Sequence, residues 1–143
     1  MPQDHPLKIL LVDDEPLARS RLRELLGDIA IQFASDVVGE AGNGIAALEF
    51  IRQHPVDVVL ADIRMPGMDG IELAGHLGAF EHPPAVIFTT AYDNYAVQAF
   101  DLNAVDYLLK PVRTQRLLTA LQRVAAAPQP DPALLADIGR KVR

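Results

Sequence analysis

The sequence predicts an α/β protein built on a doubly wound, five-stranded parallel sheet with five helices. Five short apolar runs alternate with five longer amphipathic segments along the chain. The apolar runs are rich in Val, Ile and Leu and are nearly continuous, which is typical of strands that helices cover on both faces. The chain has 143 residues, 50% of them hydrophobic and 22% charged, so it is long enough for one domain with a substantial core.

Each predicted strand is a short β-type run that ends at polar or turn-forming residues. The first strand carries the unbroken apolar stretch Ile9–Val12, and the third carries Val58–Ala61. Both stretches are far shorter than the roughly 18 residues that span a membrane as a helix, so we expect buried strands. The five predicted strands are, in order, Lys8–Asp13, Phe33–Glu40, Val56–Asp62, Ala85–Thr90 and Val105–Leu109.

The predicted helices follow these strands, one after each. In the first helix, Pro16–Leu26, leucines occupy one side and the arginines are left for solvent. Pro16 suits the first turn of a helix, and Gly27 predicts its C-terminal end. The other four predicted helices are Ile45–Gln53, Gly70–Leu77, Asn94–Phe100 and Thr114–Ala127.

The chain divides into one predicted domain, residues 7–127, and a short tail, residues 128–143. In the tail, Pro128, Pro130 and Pro132 alternate with polar residues, a pattern that favours an extended linker over a helix. The residues after these prolines are too few to form a domain. We therefore expect a linker and a stub that lead toward a module absent from this chain.

Composition excludes several classes of function. The chain has no cysteine, which excludes disulfides, thiolate metal sites and a cysteine nucleophile. Its formal net charge of −6 does not provide the basic face that binds nucleic acid. The first residues lack the apolar core of a secretory signal, so we expect a cytoplasmic protein with no membrane segment.

Chemically informative residues stand where the predicted strands end. Asp13 and Asp14 end or follow the first strand, Asp62 ends the third, Thr90 ends the fourth, and Lys110 follows the fifth. A doubly wound fold brings these positions to one edge of the sheet, where such proteins bind their ligands. Clustered carboxylates repel one another unless a cation neutralises them, and Mg²⁺ prefers oxygen ligands. Together with an ammonium and a hydroxyl, this cluster predicts a site for a phosphoryl group.

A glycine-rich phosphate loop is not part of this site. The nearest candidate, Gly42–Gly44, lacks the lysine of a P-loop and follows the wrong strand for a dinucleotide-binding motif. We therefore expect a small phosphoryl group, held by side chains and a metal ion. An aspartate is a plausible nucleophile for such a group.

Four motifs at these strand ends resemble the receiver domains of bacterial two-component response regulators. The resemblance covers about Lys8 to Val124, and the last two motifs are similar to the LytR/AlgR branch, whose members usually carry a C-terminal LytTR DNA-binding module. It implies a flavodoxin-like fold. The motifs are LLVDDEP (Leu10–Pro16), LADIRMPGMDG (Leu60–Gly70), FTTAYDNYAVQAF (Phe88–Phe100) and NAVDYLLKPV (Asn103–Val112).

The resemblance implies a phosphoacceptor and a set of metal ligands. Asp62 would accept the phosphoryl group and also contribute to the Mg²⁺ site. Asp14 would bind Mg²⁺ directly, Asp13 mainly through water, and Arg64 through its backbone carbonyl. Arg64 and Tyr92, at positions that flank the approach of water in such domains, would tune the lifetime of the phosphate.

The resemblance also implies residues that respond to the phosphoryl group. Thr90 would donate a hydrogen bond to one phosphoryl oxygen, and Lys110 would pair with another. Tyr107 would be the aromatic switch that turns inward when Thr90 moves toward the phosphate. The Lys110–Pro111 peptide is expected to be cis, an uncommon state that about 5–6% of X–Pro bonds in folded proteins adopt.

The predicted function is a phosphorylation-activated switch that receives its phosphoryl group from a sensor histidine kinase. It is not an enzyme beyond its own phosphorylation and dephosphorylation, and DNA would be bound only through the absent module. Its output surface would be the fourth helix, fifth strand and fifth helix, where opposite charges suggest a homodimer contact. Those charges belong to Asp101, Asp106, Arg113, Arg116 and Arg123.

Two alternative functions stay open at this point. One is a receiver-like binding module that works without phosphorylation. The other is a Mg²⁺-dependent small-molecule phosphatase with Asp62 as its nucleophile, for which the short loops leave little room to build a substrate pocket.

Overall fold

The computed structural model describes residues 6–91 and 104–126, which contain five strands and four helices. The strands are β1 (Leu7–Val12), β2 (Ser35–Ala41), β3 (Val58–Asp62), β4 (Ala85–Thr90) and β5 (Asp106–Leu109). The helices are α1 (Pro16–Asp28), α2 (Gly44–Gln53), α3 (Gly70–Leu77) and α4 (Thr114–Ala126). The predicted helix Asn94–Phe100 and the predicted linker and stub, residues 128–143, lie outside the described residues.

All five strands are parallel and form one sheet in the order β2-β1-β3-β4-β5. The predicted doubly wound sheet is therefore confirmed. Its strand order reverses between β1 and β3, so the chain leaves these two neighbours in opposite directions. The crevice that opens outside the carboxyl ends of β1 and β3 is where this topology places a ligand.

The sheet separates two apolar cores. Along β1, Ile9 and Leu11 face the core that α1 and α4 cover, whereas Leu10 and Val12 face the core covered by α2 and α3. This alternation explains why the strand is apolar without interruption, since both of its faces are buried. In the described part of the chain, no helix has the length and apolar character that a membrane span requires.

Several element boundaries differ from the predicted ones by one or two residues, and at two of them apolar packing overrides the local signals. Gly27 does not end the first helix, which continues to Asp28. The N–H of Ile29 donates to the carbonyl of Leu25 at 3.2 Å, and both side chains are buried in the same core. Phe33, predicted to begin the second strand, instead lies before β2 and is buried in that core as well.

Candidate functional site

The ends of β1 and β3 bring three carboxylates together beside the strand-order reversal. The backbone N–H of Asp13 donates to the carbonyl of Ala41 at 3.0 Å, which places Asp13 directly beyond β1. Asp13 is 1% exposed, Asp62 is 7% exposed, and Asp14 lies at the surface. Each of the three offers a carboxylate oxygen within 4.8 Å of the others. The predicted acidic cluster is thus assembled by the fold.

Lys110 enters the same cluster from the end of β5. Its ammonium lies 2.9 Å from Asp13 Oδ2 and 3.3 Å from Asp62 Oδ2, so one cation bridges two carboxylates. Its backbone N–H donates to the carbonyl of Thr90 at 2.7 Å, which ties this lysine to the end of β4. The Lys110–Pro111 peptide is cis, as predicted.

The charges of the cluster do not balance, and the pKa values reflect this. Burial raises the pKa of Asp62, and the negative charge of Asp13 raises it further, although the Lys110 ammonium opposes both effects. For Lys110, burial lowers the pKa, but the hydrogen bond to Asp13 and the charge of Asp62 outweigh burial and leave the pKa raised. Lys110 therefore remains an ammonium, and Asp13 and Asp62 share its single positive charge, with the Asp14 carboxylate nearby.

The donor set of this cluster fits a hard divalent cation. Carboxylate oxygens are the ligands that Mg²⁺ prefers, and a second cation would offset the charge that Lys110 leaves unbalanced. Asp62 and Asp13 are each held in place by a backbone donor: the N–H of Arg64 lies 3.3 Å from Asp62 Oδ1, and that of Glu15 lies 2.9 Å from Asp13 Oδ1. Two of the three carboxylates are thus held within the cluster by backbone hydrogen bonds.

The loop between β3 and α3 lets a helix approach Asp62 closely. Gly67 has a φ of +75°, a left-handed conformation that glycine adopts without the steric cost of a side chain. At Gly70, a side-chain carbon would lie 2.9 Å from the Cα of Ile63 and would also collide with the carbonyl of Asp62. Glycine at position 70 therefore allows α3 to begin directly against the backbone that carries Asp62.

Two further predicted site residues, Thr90 and Tyr107, lie on the strands β4 and β5. Thr90 is fully buried at the end of β4, one residue beyond Thr89, which is the sheet partner of Asp62. Tyr107, on β5, is the sheet partner of Phe88 on β4. It packs against the core that α2 and α3 cover. Tyr92, predicted to tune phosphate lifetime, lies outside the described residues.

One contact with the cluster was missed by the sequence prediction. Arg19 of α1, expected to face solvent, is only 18% exposed; it donates to the backbone carbonyl of Asp13 and to Glu40 of β2. Glu40 also binds Arg23, one turn further along α1. The spacing of two arginines four residues apart, together with an acid near the end of a neighbouring strand, was the available signal.

Asp106 also differs from its predicted role as a charge on a dimer surface. It is 3% exposed, and its carboxylate accepts two hydrogen bonds from Arg116 at 2.7 Å and one from Arg123 at 2.8 Å. The N–H of Tyr107 donates to it as well, at 2.9 Å. Asp106, Arg116 and Arg123 therefore form a cluster within the chain, which joins β5 to α4.

Residues 9–122 match the family model described as the response regulator receiver domain. This chain belongs to that family. Its sheet topology is that of the flavodoxin-like receiver fold, and the relationship extends over nearly all of the described residues. The receiver domain of a two-component response regulator is a signalling module, and the acidic cluster lies where such domains bind Mg²⁺.

Curated relatives confirm the predicted likeness to the LytR/AlgR branch. The receiver domain is 47% identical over 119 residues to the positive alginate biosynthesis regulatory protein of Pseudomonas aeruginosa, covering 83% of this chain and 47% of that protein. It is 41% identical over 125 residues to the transcriptional regulatory protein LytR of Staphylococcus aureus, covering 87% of this chain and 50% of that protein. The chain thus spans about half the length of the curated relatives it matches.

Solved structures of other receiver domains share the fold. The response regulatory domain of protein mrkE from Klebsiella pneumoniae matches with a TM-score of 0.74 at 35% identity, covering 83% of this chain and 95% of that one. The receiver domain of the putative response regulator NarL from Mycobacterium tuberculosis matches with a TM-score of 0.77 at 34% identity, covering 86% of this chain and 99% of that one.

Proposed function

We propose that this receiver domain accepts a phosphoryl group on Asp62 from the phosphohistidine of a sensor histidine kinase. An oxygen of Asp62 forms a bond to phosphorus while the phosphorus–nitrogen bond of the phosphohistidine breaks, and the imidazole leaves. The observation that carries this proposal is the setting of the Asp62 carboxylate. It is buried at the ligand-binding edge of the sheet, 3.3 Å from the Lys110 ammonium and grouped with two further carboxylates.

Asp13, Asp14 and Asp62, with the backbone carbonyl of Arg64, would hold Mg²⁺, which supplies positive charge that offsets the charge of the transferring phosphoryl group. Lys110 supplies the second positive charge from the protein itself. Because its ammonium already contacts Asp62, it is positioned to bind a phosphoryl oxygen when Asp62 becomes the acyl phosphate. Burial of Asp62 limits the access of water to that product.

The acyl phosphate would change the electrostatics of the site and thereby favour a second conformation. A phosphoryl group that carries about two negative charges replaces the single charge of the Asp62 carboxylate, and it draws Lys110 and the Thr90 hydroxyl toward its oxygens. Movement of Thr90 would give Tyr107 space to turn inward. A change from 1:99 to 99:1 between the two conformations requires about 5.5 kcal/mol of differential stabilisation, which these new contacts must provide.

The output of the switch would be control of transcription. The curated relatives include proteins named as transcriptional regulators, and each is about twice as long as the segment that this chain matches. We propose that DNA is bound by a separate LytTR-type module and that the protein acts in the cytoplasm, where a kinase could phosphorylate it. Phosphorylation would promote a homodimer through β5, α4 and the predicted helix Asn94–Phe100.

The proposal is tested by phosphorylation with acetyl phosphate and Mg²⁺, followed by intact-protein mass spectrometry. We expect the wild type to gain a base-labile phosphate and Asp62→Asn to gain none. Asp69→Asn is the matched control, because Asp69 lies in the same loop and caps α3 through the N–H of Glu72, a role that asparagine fulfils equally well. Chelation of Mg²⁺ should prevent labelling of every variant.

Two results would contradict the proposal. Equal labelling of the wild type and Asp62→Asn would exclude Asp62 as the phosphoacceptor. Absence of labelling in the wild type, together with failure to bind beryllofluoride, would favour a receiver-like binding module that works without phosphorylation. Sedimentation of the labelled and unlabelled protein measures whether the homodimer forms.

A further inference from the structure

The Arg19 guanidinium lies between the end of β1 and the end of β2. Its Nη1 donates to the backbone carbonyl of Asp13, and its Nε donates to Glu40 Oε1 at 2.7 Å. The rigid, planar guanidinium of Arg19 therefore connects the side chain of Glu40 with the backbone carbonyl of Asp13. Its side chain is mostly buried for an arginine of a surface helix, with 18% exposed.

Glu40 anchors this arginine on the sheet. Glu40 is the β2 partner of Leu11 in β1, and its second carboxylate oxygen accepts a hydrogen bond from Arg23 Nε at 2.6 Å. The hydrogen bonds from Arg23 and Arg19 hold the pKa of Glu40 below its ordinary value, so Glu40 is ionised at neutral pH. Glu40 thus orients the Arg19 guanidinium and offsets part of its positive charge beside a site that must attract a cation.

The carbonyl that Arg19 binds belongs to the peptide that joins Asp13 to Asp14. A peptide unit is planar, so fixing the direction of this carbonyl also fixes the N–H and Cα of Asp14. Asp13 itself has further ties, through its N–H to Ala41 and through its carboxylate to Lys110. Asp14 is exposed and stands where the chain turns from β1 toward α1, so its direction depends on the two peptides beside it: this one, and the next one, whose Glu15 N–H donates to Asp13 Oδ1.

We propose that Arg19 is a positioning residue for the metal site: it holds the Asp13–Asp14 peptide in the orientation that directs Asp14 toward Mg²⁺. Arg19 touches neither the metal nor the phosphoryl group and acts only through this carbonyl. The proposal rests on the proposed function, because it requires that the acidic cluster bind Mg²⁺.

The test is Mg²⁺ binding by isothermal titration calorimetry, with Arg19→Lys compared with Arg23→Lys. Lysine keeps the positive charge but is a point donor, so it cannot span the Asp13 carbonyl and Glu40 with a planar fork. We expect Arg19→Lys to bind Mg²⁺ about tenfold more weakly than the wild type, a loss typical of residues that orient metal ligands. Arg23→Lys is the matched control, because Arg23 shares Glu40 but does not contact Asp13. Its affinity should stay within about twofold of the wild type.

Thermal unfolding in EDTA separates positioning from a general loss of stability. Equal Mg²⁺ affinity of the wild type and a folded Arg19→Lys would overturn the positioning role, as would equal losses of affinity in both lysine variants. If Arg19→Lys does not fold, Glu40→Gln replaces it: weaker Mg²⁺ binding supports the proposal, and unchanged binding overturns it. Failure of the wild type to bind Mg²⁺ would instead overturn the proposed metal site. The first two outcomes leave phosphorylation of Asp62 intact, so the two failures are distinguishable.

Discussion

Asp62 and Asp106 are both buried aspartates of the central sheet, yet their pKa values shift in opposite directions. Burial raises the pKa of Asp62 above its ordinary value, and Lys110 does not cancel this effect. Burial also acts to raise the pKa of Asp106, but the hydrogen bonds from Arg116 and the Tyr107 N–H, with the charges of Arg116 and Arg123, outweigh it, so its pKa is lowered. The difference arises from the partners of the two carboxylates, since both are less than a tenth exposed.

The partners distinguish an aspartate whose charge the fold compensates from one whose charge is left poorly compensated. Asp106 accepts hydrogen bonds from two guanidinium groups and a backbone N–H, so its buried charge is compensated. Within the described part of the chain, Asp62 accepts hydrogen bonds of 3.3 Å from the Arg64 N–H and from the Lys110 ammonium, which it shares with Asp13. A buried carboxylate whose charge is poorly compensated is costly to the fold unless a cation arrives.

Addition of Mg²⁺ should therefore stabilise the protein through Asp62 and not through Asp106. At a Mg²⁺ concentration one hundred times its Kd, we expect the free energy of unfolding of the wild type to rise by about 2.7 kcal/mol. Asp106→Asn should keep this increment, whereas Asp62→Asn should lose most of it because a metal ligand is removed. Urea denaturation with Mg²⁺ or EDTA measures both. An increment that is equal in all three proteins would place the cation elsewhere.

Without Mg²⁺, the substitution of Asp106 should lower the free energy of unfolding, whereas the substitution of Asp62 should not. Asp106→Asn places an amide donor against the guanidinium groups of Arg116 and Arg123, and we expect a loss of about 2 kcal/mol. Both arginines are partly exposed and can turn to solvent, which keeps the loss moderate. Asp62→Asn removes the repulsion between Asp62 and Asp13, so stability should be unchanged or higher. Urea denaturation in EDTA decides this, and a larger loss for Asp62→Asn would reverse our assignment of roles.

The pH dependence of stability should separate the same pair, with smaller effects. The pKa of Asp106 is lower in the folded protein, so its contribution is complete above about pH 4, the ordinary range of the carboxyl, and is lost as the pH falls through its folded pKa. The pKa of Asp62 is raised, so its contribution is complete below that range and is lost as the pH rises through its folded pKa.

This difference leads to a specific expectation for the metal-free protein. When the pH falls below about 4, the free energy of unfolding of Asp106→Asn should decrease less than that of the wild type. When the pH rises above about 4, the free energy of unfolding of Asp62→Asn should decrease less than that of the wild type. Urea denaturation in EDTA across the acidic range measures both slopes. Parallel pH profiles for all three proteins would contradict the opposite shifts.

Much of the fold was predictable because its signals are local. The near-continuous apolar runs predicted five parallel strands, all of which the structure contains. The helix boundaries were less predictable, since Gly27 is a local stop signal that packing of Ile29 and Leu25 overrides. The residue at which a helix ends depends on which of the following side chains are buried, and the local sequence pattern does not show this.

The candidate site was predictable to the extent that its residues stand at strand ends. Asp13, Asp14, Asp62 and Lys110 do meet at one edge, because parallel strands point their carboxyl ends the same way. The partners of Arg19 and Asp106 were not predictable in this way. These partners lie on consecutive elements, 6 to 21 residues away, but charged residues of that kind are usually solvated surface groups, so the sequence pattern does not indicate that they are buried together.

The sequence by itself therefore determined the class of the fold, the family and the residues that meet in the acidic cluster, because these depend on periodicity and on motifs at strand ends. Only the tertiary structure decided which charges compensate one another. Arg116 and Arg123 pair with Asp106 within the chain, while Asp62 is left with a shared lysine. The physical reason is that the electrostatic energy of a buried carboxylate depends on the distance and direction of every neighbouring charge, and packing of the helices on the sheet sets both.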